Sequence, residues 1–270
     1  MIIPNMPEAD YHAHPSIGSS TAKLFTKSPT LFGDAIRGLY RTPDSPAFQI
    51  GRIVHMAVLE PDRFAEQVTS AGPINPKTGS PYGRDTKAWA EWQALNPGII
   101  VVDKWVHLAI DRMPQVVADI YRDGVAESSA FVNFACGVDA KCRPDWLAGT
   151  DITDLKTIDD VDRAEQSISR FKYWLSHAWY RAVMKQMTGK AHSMRFVFVE
   201  KKPPYRWRIV TLDAAYVTWA DEQVDTLLGD LGQRLKNDDW SDSAEIAIEA
   251  PMPAYLDADE FVMDEEGISL

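Results

Sequence analysis

Apolar residues recur along this chain in two rhythms, the three-to-four-residue spacing of helices and the alternate-residue spacing of strands. Gly18-Ser19-Ser20-Thr21 ahead of Ala22-Lys23-Leu24-Phe25 reads as a helix start, with a hydroxyl available to cap the free N–H groups. A loop around Pro43, Asp44, Ser45 and Pro46 leads into a largely apolar stretch from Phe48 to Leu59. That stretch predicts a second helix, in which Gly51 and Ala57 allow close packing and His55 sits in an apolar face. Residues 69–83 are rich in Gly, Pro, Ser and Asn and predict a long loop. Helices are expected over 84–95 and 103–122, anchored by Trp89, Trp92, Trp105 and Leu108.

The rhythm then changes. Residues 127–134 predict a strand, and Gly137 to Arg143 alternates Val138, Ala140 and Cys142 with polar residues, as a hairpin partner would. Two short strands follow within residues 143–157, joined by a turn at Ala148-Gly149. From Asp160 to Met187 the spacing of Phe171, Trp174, Leu175, Trp179, Tyr180 and Val183 predicts one long helix, basic on its remaining surface and ended by Gly189. Strands over Met194–Lys201 and Tyr205–Leu212, joined at Pro203-Pro204, and a helix over Ala215–Leu235 complete the body. This order predicts an α/β fold of the mixed α+β kind, with a central mixed sheet flanked by helices and a helical N-terminal part.

Composition narrows the setting. No apolar run approaches the roughly 20 residues that span a bilayer, and Met1 to Asn5 lacks the regions of a signal peptide, so a cytoplasmic protein without a membrane partner is expected. The two cysteines, Cys136 and Cys142, fit a reduced compartment and exclude a four-cysteine metal site. The net charge of −11 argues at first against a nucleic-acid partner. Its distribution reverses that: the eleven acidic residues after Lys236, unmixed with Lys or Arg, account for the whole imbalance. Residues 1–236 therefore form a neutral domain able to carry a local basic groove, and residues 237–270 an acidic segment, either solvated or a docking or DNA-repelling element.

The chemistry concentrates in the predicted hairpin. It brings Asp145 near Asp154, and strand alternation points Asp154 and Lys156 the same way. Two carboxylates with an ammonium beside them suit a divalent cation, an oriented water and a phosphate. A surface ion pair worth about 0–1 kcal/mol is the plainer alternative. His55 is a packed core residue or, if the hairpin meets its helix, a metal ligand. The Gly18–Thr21 start, followed by Lys23 and Lys27, serves as a cap or as a phosphate seat. His12 and His14 fall in a polar loop.

Pro144-Asp145, eight residues, then Asp154-Leu155-Lys156 matches the PD-(D/E)xK nuclease signature. Together with Tyr11-His12-Ala13, the Ile17–Leu24 helix start, Pro29-Thr30-Leu31-Phe32, Gly51 to Pro61, Ala126-Glu127-Ser128-Ser129 and Cys142-Arg143, the chain over residues 10–215 resembles the RecE-type exonuclease domain (exodeoxyribonuclease VIII). That resemblance implies a restriction-endonuclease-like core and a Mg²⁺-dependent 5′-to-3′ exonuclease acting on linear double-stranded DNA ends, with Mn²⁺ able to substitute. It implies a ring-shaped homo-oligomer, a single-strand annealing protein as partner, and a role in phage or prophage DNA recombination. It places His55, Asp145, Asp154 and the Leu155 carbonyl at the metal, Lys156 as the catalytic lysine, and Glu127 as an acidic neighbour. Ser19, Ser20, Lys23, Arg143 and Tyr180 become candidates for DNA contact. One position departs from the family pattern: Ser176 stands where a glutamine precedes the tyrosine by four residues, with His177 beside it as a substitute or an exposed surface residue. A structure-selective endonuclease and a non-catalytic DNA-binding or assembly subunit of the same fold are the alternatives.

Overall fold

The computed structural model describes residues 2–4, 6–43 and 46–242. Its N-terminal part holds β1 (Ile2–Ile3) and helices α1 (Glu8–Ala13), α2 (Ser19–Phe25), α3 (Pro29–Ile36), α4 (Pro46–Leu59) and α5 (Pro61–Gln67). A short parallel pair, β2 (Val68–Thr69) and β3 (Ile100–Val101), brackets α6 (Lys87–Leu95), and α7 (Trp105–Asp111) and α8 (Gln115–Ala118) follow. Five strands come next: β4 (Val125–Ala126), β5 (Ser129–Asn133), β6 (Asp139–Cys142), β7 (Trp146–Ala148) and β8 (Asp151–Ile158). Then come α9 (Ala164–Arg170), α10 (Tyr173–Thr188), β9 (Ser193–Glu200), β10 (Trp207–Thr211) and α11 (Ala214–Asn237).

The expected mixed sheet is present, in the order β10-β9-β8-β7-β4. β8 and β9 run parallel from Asp151↔Ser193 to Ile158↔Glu200, and the other neighbours are antiparallel. A parallel pair needs a crossover, which α9 and α10 supply. Both faces of the sheet are covered. Ile152, Met194, Phe196 and Phe198 pack with Leu175 and Trp179 of α10 and Leu228 of α11. Leu155, Val197 and Val199 pack on the opposite side with Val54 and Val58 of α4 and Val106 of α7. Burial on two faces explains why Phe196-Val197-Phe198-Val199 is an unbroken apolar run rather than an alternating one.

Several expectations need correction. The β5–β6 hairpin does not join the central sheet; with β1 it forms a separate sheet of order β1-β5-β6. The helix expected over 103–122 is broken at Pro114, whose ring cannot continue a helix, into α7, α8 and a 3-10 turn at Asp119–Tyr121. The helix expected from Asp160 is broken at Lys172, which takes a left-handed φ of 50° between α9 and α10. Leu108 and Phe171 are exposed rather than core anchors. No hydroxyl caps α2, since Gly18 is its N-cap and makes no side-chain bond. Gly189 does end α10 in the left-handed conformation, as expected. Cys136 and Cys142 are both free. Trp240, beyond α11, is buried against Phe32 with ring centres 5.0 Å apart. Most of the acidic segment, residues 243–270, lies outside the described residues.

Two glycines of α11 behave oppositely. A Cβ on Gly232 would collide with the backbone carbonyl of Cys136, while one on the exposed Gly229 would meet nothing. Gly232→Ala is expected to cost about 1–3 kcal/mol through overpacking. Gly229→Ala is expected to stabilise by up to about 1 kcal/mol through helix propensity. Urea midpoints for the two variants, moving in opposite directions, check the packing of α11.

Candidate active site

The site forms where β8 loses a neighbour. β7 pairs with β8 only at Trp146↔Thr153, Leu147↔Ile152 and Ala148↔Asp151. Pro144, just before Asp145, has no N–H with which to extend that ladder. Asp154, Leu155 and Lys156 thus have β9 on one side and no strand partner on the other. Side-chain groups fill the open edge at Leu155. The Leu155 N–H donates to Asp145 Oδ2 at 2.6 Å. The Leu155 carbonyl faces His55 Nε2 at 2.8 Å and Lys156 Nζ at 3.4 Å. His55 reaches this edge because α4 packs on the Leu155 face of the sheet.

The imidazole is over-committed. His55 Nδ1 lies 3.6 Å from Asp145 Oδ1 while Nε2 faces the Leu155 carbonyl. Both neighbours are acceptors, and neutral imidazole carries one N–H. One nitrogen therefore meets an oxygen lone pair with nothing between them, a conflict that a proton or a metal cation removes. Glu127 adds a second carboxylate: His55, Glu127 and Asp145 each offer a ligand atom within 4.8 Å of the others. Glu127 takes a left-handed φ of 50° between β4 and β5, and its N–H donates to the Asp145 carbonyl at 3.1 Å. A non-glycine residue held this way costs of order 1–3 kcal/mol, a strain that clusters at functional positions. Burial, then the charge of Asp145, pushes the Glu127 carboxyl up to about 7, despite an ion pair with Arg143. Burial also raises Asp145. An imidazole, two carboxylates and the Leu155 carbonyl, which keeps a lone pair beyond those its neighbours meet, make a donor set suited to Mg²⁺ or Mn²⁺.

Asp154 stands apart from that trio. It is 3% exposed and its Oδ2 is paired with Lys156 Nζ at 2.5 Å, on the face of β8 that looks toward α10. Burial works against the Lys156 charge, but Asp154 and Asp145 outweigh it and hold the ammonium above the ordinary lysine range. Lys156 lies 5.5 Å from the ring centre of Tyr173, and Lys23 lies 5.1 Å from the same ring. Burial, then the charge of Lys156, lowers Lys23 to about 8. Tyr180 is near enough to Asp154 and Asp145 to feel both, with burial raising its phenol furthest. Arg143 pairs with Glu127 and lies 5.5 Å over the Tyr11 ring. Ser19 is buried and Ser20 exposed at the start of α2.

Three aromatic neighbours were not anticipated as parts of the site. Tyr173 lies seven residues before Tyr180, hence on the same face of α10, a spacing visible in the sequence. Tyr121, its phenol raised by burial and then by Asp145 and Asp154, comes from a 3-10 turn that no periodicity announces. Tyr11 contacts Arg143 and Lys141 through its ring. Ser176 and His177 are both buried, so exposure is ruled out for His177; its ring packs near Phe196 at 6.1 Å.

The model of a PDDEXK-like domain of unknown function (DUF3799) matches residues 18–249. The chain belongs to this family. Among solved structures it is similar to a candidate exonuclease from Eubacterium rectale, with a TM-score of 0.62, 15% sequence identity, and coverage of 96% of this chain and 99% of that one. At that identity the likeness extends to the fold. No curated protein matches the sequence. Within the matched residues, the β7–β8 hairpin leaves Asp145 and the Asp154–Lys156 segment on one open edge of the sheet. No helix among the described residues is long and apolar enough to cross a membrane.

His177 makes a measurable contribution to acid sensitivity. Burial, then the charge of Arg181, depresses it to about 4, and its Nδ1 has no hydrogen-bond partner. The unfolded chain, with a histidine pKa of roughly 6.5, binds the proton first as pH falls. The contribution is therefore complete above pH ~6.5 and lost progressively toward pH ~4, on the order of 3 kcal/mol in all. In urea denaturation from pH 7 to pH 4, His177→Gln is expected to remove that part of the slope and leave the carboxylate-driven part.

Proposed function

We propose that this chain is a metal-dependent deoxyribonuclease that degrades linear double-stranded DNA from its 5′ ends and leaves 3′ single strands. The observation that carries the reading is the open edge of β8, where His55, Asp145 and Glu127 converge beside a Lys156–Asp154 pair. His55, Asp145, Glu127 and the Leu155 carbonyl would hold the cation, with Asp154 at its border. A bound divalent cation supplies an activated water and offsets the charge that grows on the phosphate. Lys156 keeps its proton at neutral pH, because its carboxylate neighbours favour the ammonium, so it donates to a water or phosphate oxygen rather than abstracting a proton. Lys23, sharing the Tyr173 ring, brings a second ammonium to the same phosphate. Tyr180 and Arg143 border it.

The 5′-to-3′ direction, a ring-shaped homo-oligomer around DNA and a single-strand annealing partner rest on the RecE-type resemblance. With Ser176 in place of the glutamine, and buried, Tyr180 and Tyr173 are the polar groups of α10 that address the scissile end.

Linear duplex with 5′-phosphates is expected to be degraded in Mg²⁺ or Mn²⁺ and spared in EDTA, while covalently closed circles survive. Lys156→Ala and His55→Ala are each expected to slow digestion by roughly 100-fold or more. Cleavage of closed circles would replace the exonuclease reading with an endonuclease one. Intact duplex under both metals would leave a DNA-binding subunit. Undiminished digestion by Lys156→Ala would remove the site itself.

A further inference from the structure

The longest stretch of the body without an acidic residue runs between Glu165 and Glu200, and it carries Arg170, Lys172, Arg181, Lys185, Lys190 and Arg195. In a chain of net charge −11 this is a marked excess along the sequence, offset in the fold where Arg181 pairs with Asp221 and Arg195 with Asp151. Its first part, the α9–α10 junction, also exposes aromatic surface. Phe171 is 50% exposed, and Trp219, in the first turns of α11, is 43% exposed. Trp219 is braced edge-on by Trp174, with ring centres 4.8 Å apart, and by Tyr216 at 5.7 Å. The Tyr216 hydroxyl lies 3.3 Å from Ser169 Oγ, which ties the start of α11 to the end of α9 beside Phe171. The guanidinium of Arg170 lies 5.4 Å over the Phe171 ring. Rings this exposed contribute nothing to the core, yet they are held in place by neighbours.

The surface is continuous with the candidate site. Phe171 lies 5.7 Å from Tyr173, the ring shared by Lys156 and Lys23. Lys172, at the left-handed break, donates to the Thr26 carbonyl and hydroxyl, which fixes the junction against the end of α2. Exposed rings flanked by cations, one ring away from a phosphate-handling ammonium, match what unpaired nucleotides require: faces for stacking and charge for the backbone. A duplex offers its bases no access to such rings.

We infer that the Phe171–Trp219 surface, with Arg170, is a stacking platform for unpaired bases of a DNA strand next to the candidate active site. It rests on the nuclease reading for its substrate class, and it adds that the chain grips single-stranded DNA beyond the reacting phosphate. The platform distinguishes a tailed or splayed end from a blunt one.

The test is fluorescence anisotropy of the full chain in EDTA, where nothing is hydrolysed, with a blunt duplex and the same duplex bearing a thymidine tail. The readout is the ratio of the two affinities. Base–aromatic stacking is worth about 1–3 kcal/mol per base, so the wild-type chain is expected to favour the tailed duplex by roughly tenfold or more. The double variant Phe171→Ala/Trp219→Ala is expected to bring the ratio to within about twofold. Phe171→Tyr/Trp219→Phe, which keeps both rings, retains the preference and guards against a folding artefact. An unchanged ratio in the alanine variant overturns the platform; if its sedimentation shifts at the same time, the surface belongs to a protein interface. Failure to bind either DNA, in EDTA and again with Ca²⁺ in place of EDTA, also overturns it. Digestion of linear duplex by a chain with no tail preference overturns the platform alone and leaves the nuclease reading standing.

Discussion

The peptide unit at Leu155 is the constraint on which the site depends. In the middle of a sheet, a strand's N–H and C=O groups are consumed by its neighbours. Here the β7 ladder ends at Thr153, two residues short of Leu155, so one N–H and one C=O are left facing outward in an otherwise buried setting. Leaving them unmet would cost about 1–3 kcal/mol each. Asp145 meets the first and His55 the second, and both therefore have fixed positions. The edge thus sets the geometry of two groups that arrive from separate elements. Glu127 is fixed by the same logic one strand further out, since its N–H continues the ladder through the Asp145 carbonyl.

Much of this was legible in the residues. Alternation alone placed Asp154 and Lys156 on one face of a strand, and the spacing from Pro144-Asp145 required a hairpin. The apolar helix around His55 was evident as well, though its meeting with Leu155 depends on which face of the sheet α4 covers. What was hidden has definite causes. The φ of 50° at Lys172 is a backbone choice made by a residue that suits a helix equally well, so the pattern ran through it. The membership of β5 and β6 in a second sheet is a question of long-range pairing, set by β1 and by the Ile17 bridge to Ala140. The burial of His177 follows from α10 lying against β9, which local polarity could not announce. Glu127 entered the sequence reading as an acidic neighbour; its convergence with His55 and Asp145 requires the left-handed turn that ends β4.

Charge is distributed to the same end at two scales. Along the chain, the excess of acidic over basic residues lies after Lys236, and the run between Glu165 and Glu200 has no acidic residue. Within the site, Glu127 is matched by Arg143 and Asp154 by Lys156, while the groups nearest Asp145 are an imidazole and the Leu155 N–H rather than a paired cation. Lys23, near by, has its own positive charge discouraged by burial and by Lys156. The site is thus close to neutral by itself, with one carboxylate under-compensated and one ammonium under-stabilised. On the nuclease reading each of these is corrected by a different component of the reaction. A divalent cation answers Asp145, and a phosphate answers Lys23.

Those two corrections reinforce each other. A phosphodiester entering the site without the cation would face Asp145 and Asp154, and the attraction of Lys156 and Lys23 would be offset by that repulsion. On the nuclease reading, a cation entering first turns the neutral site positive and favours the phosphate; a phosphate entering first makes the His55, Glu127 and Asp145 trio a stronger cation site. Counted from a near-neutral site, the phosphate offsets half of the cation's charge, so on this reading each ligand lowers the electrostatic cost of the other. The geometry at Leu155 makes this effect local: the same peptide that anchors Asp145 presents its carbonyl to both His55 and Lys156, so the candidate cation ligands and the ammonium meet at one peptide unit. On the nuclease reading, coupling of metal and nucleic acid at this edge would follow from the charges of groups that the end of β7 holds side by side.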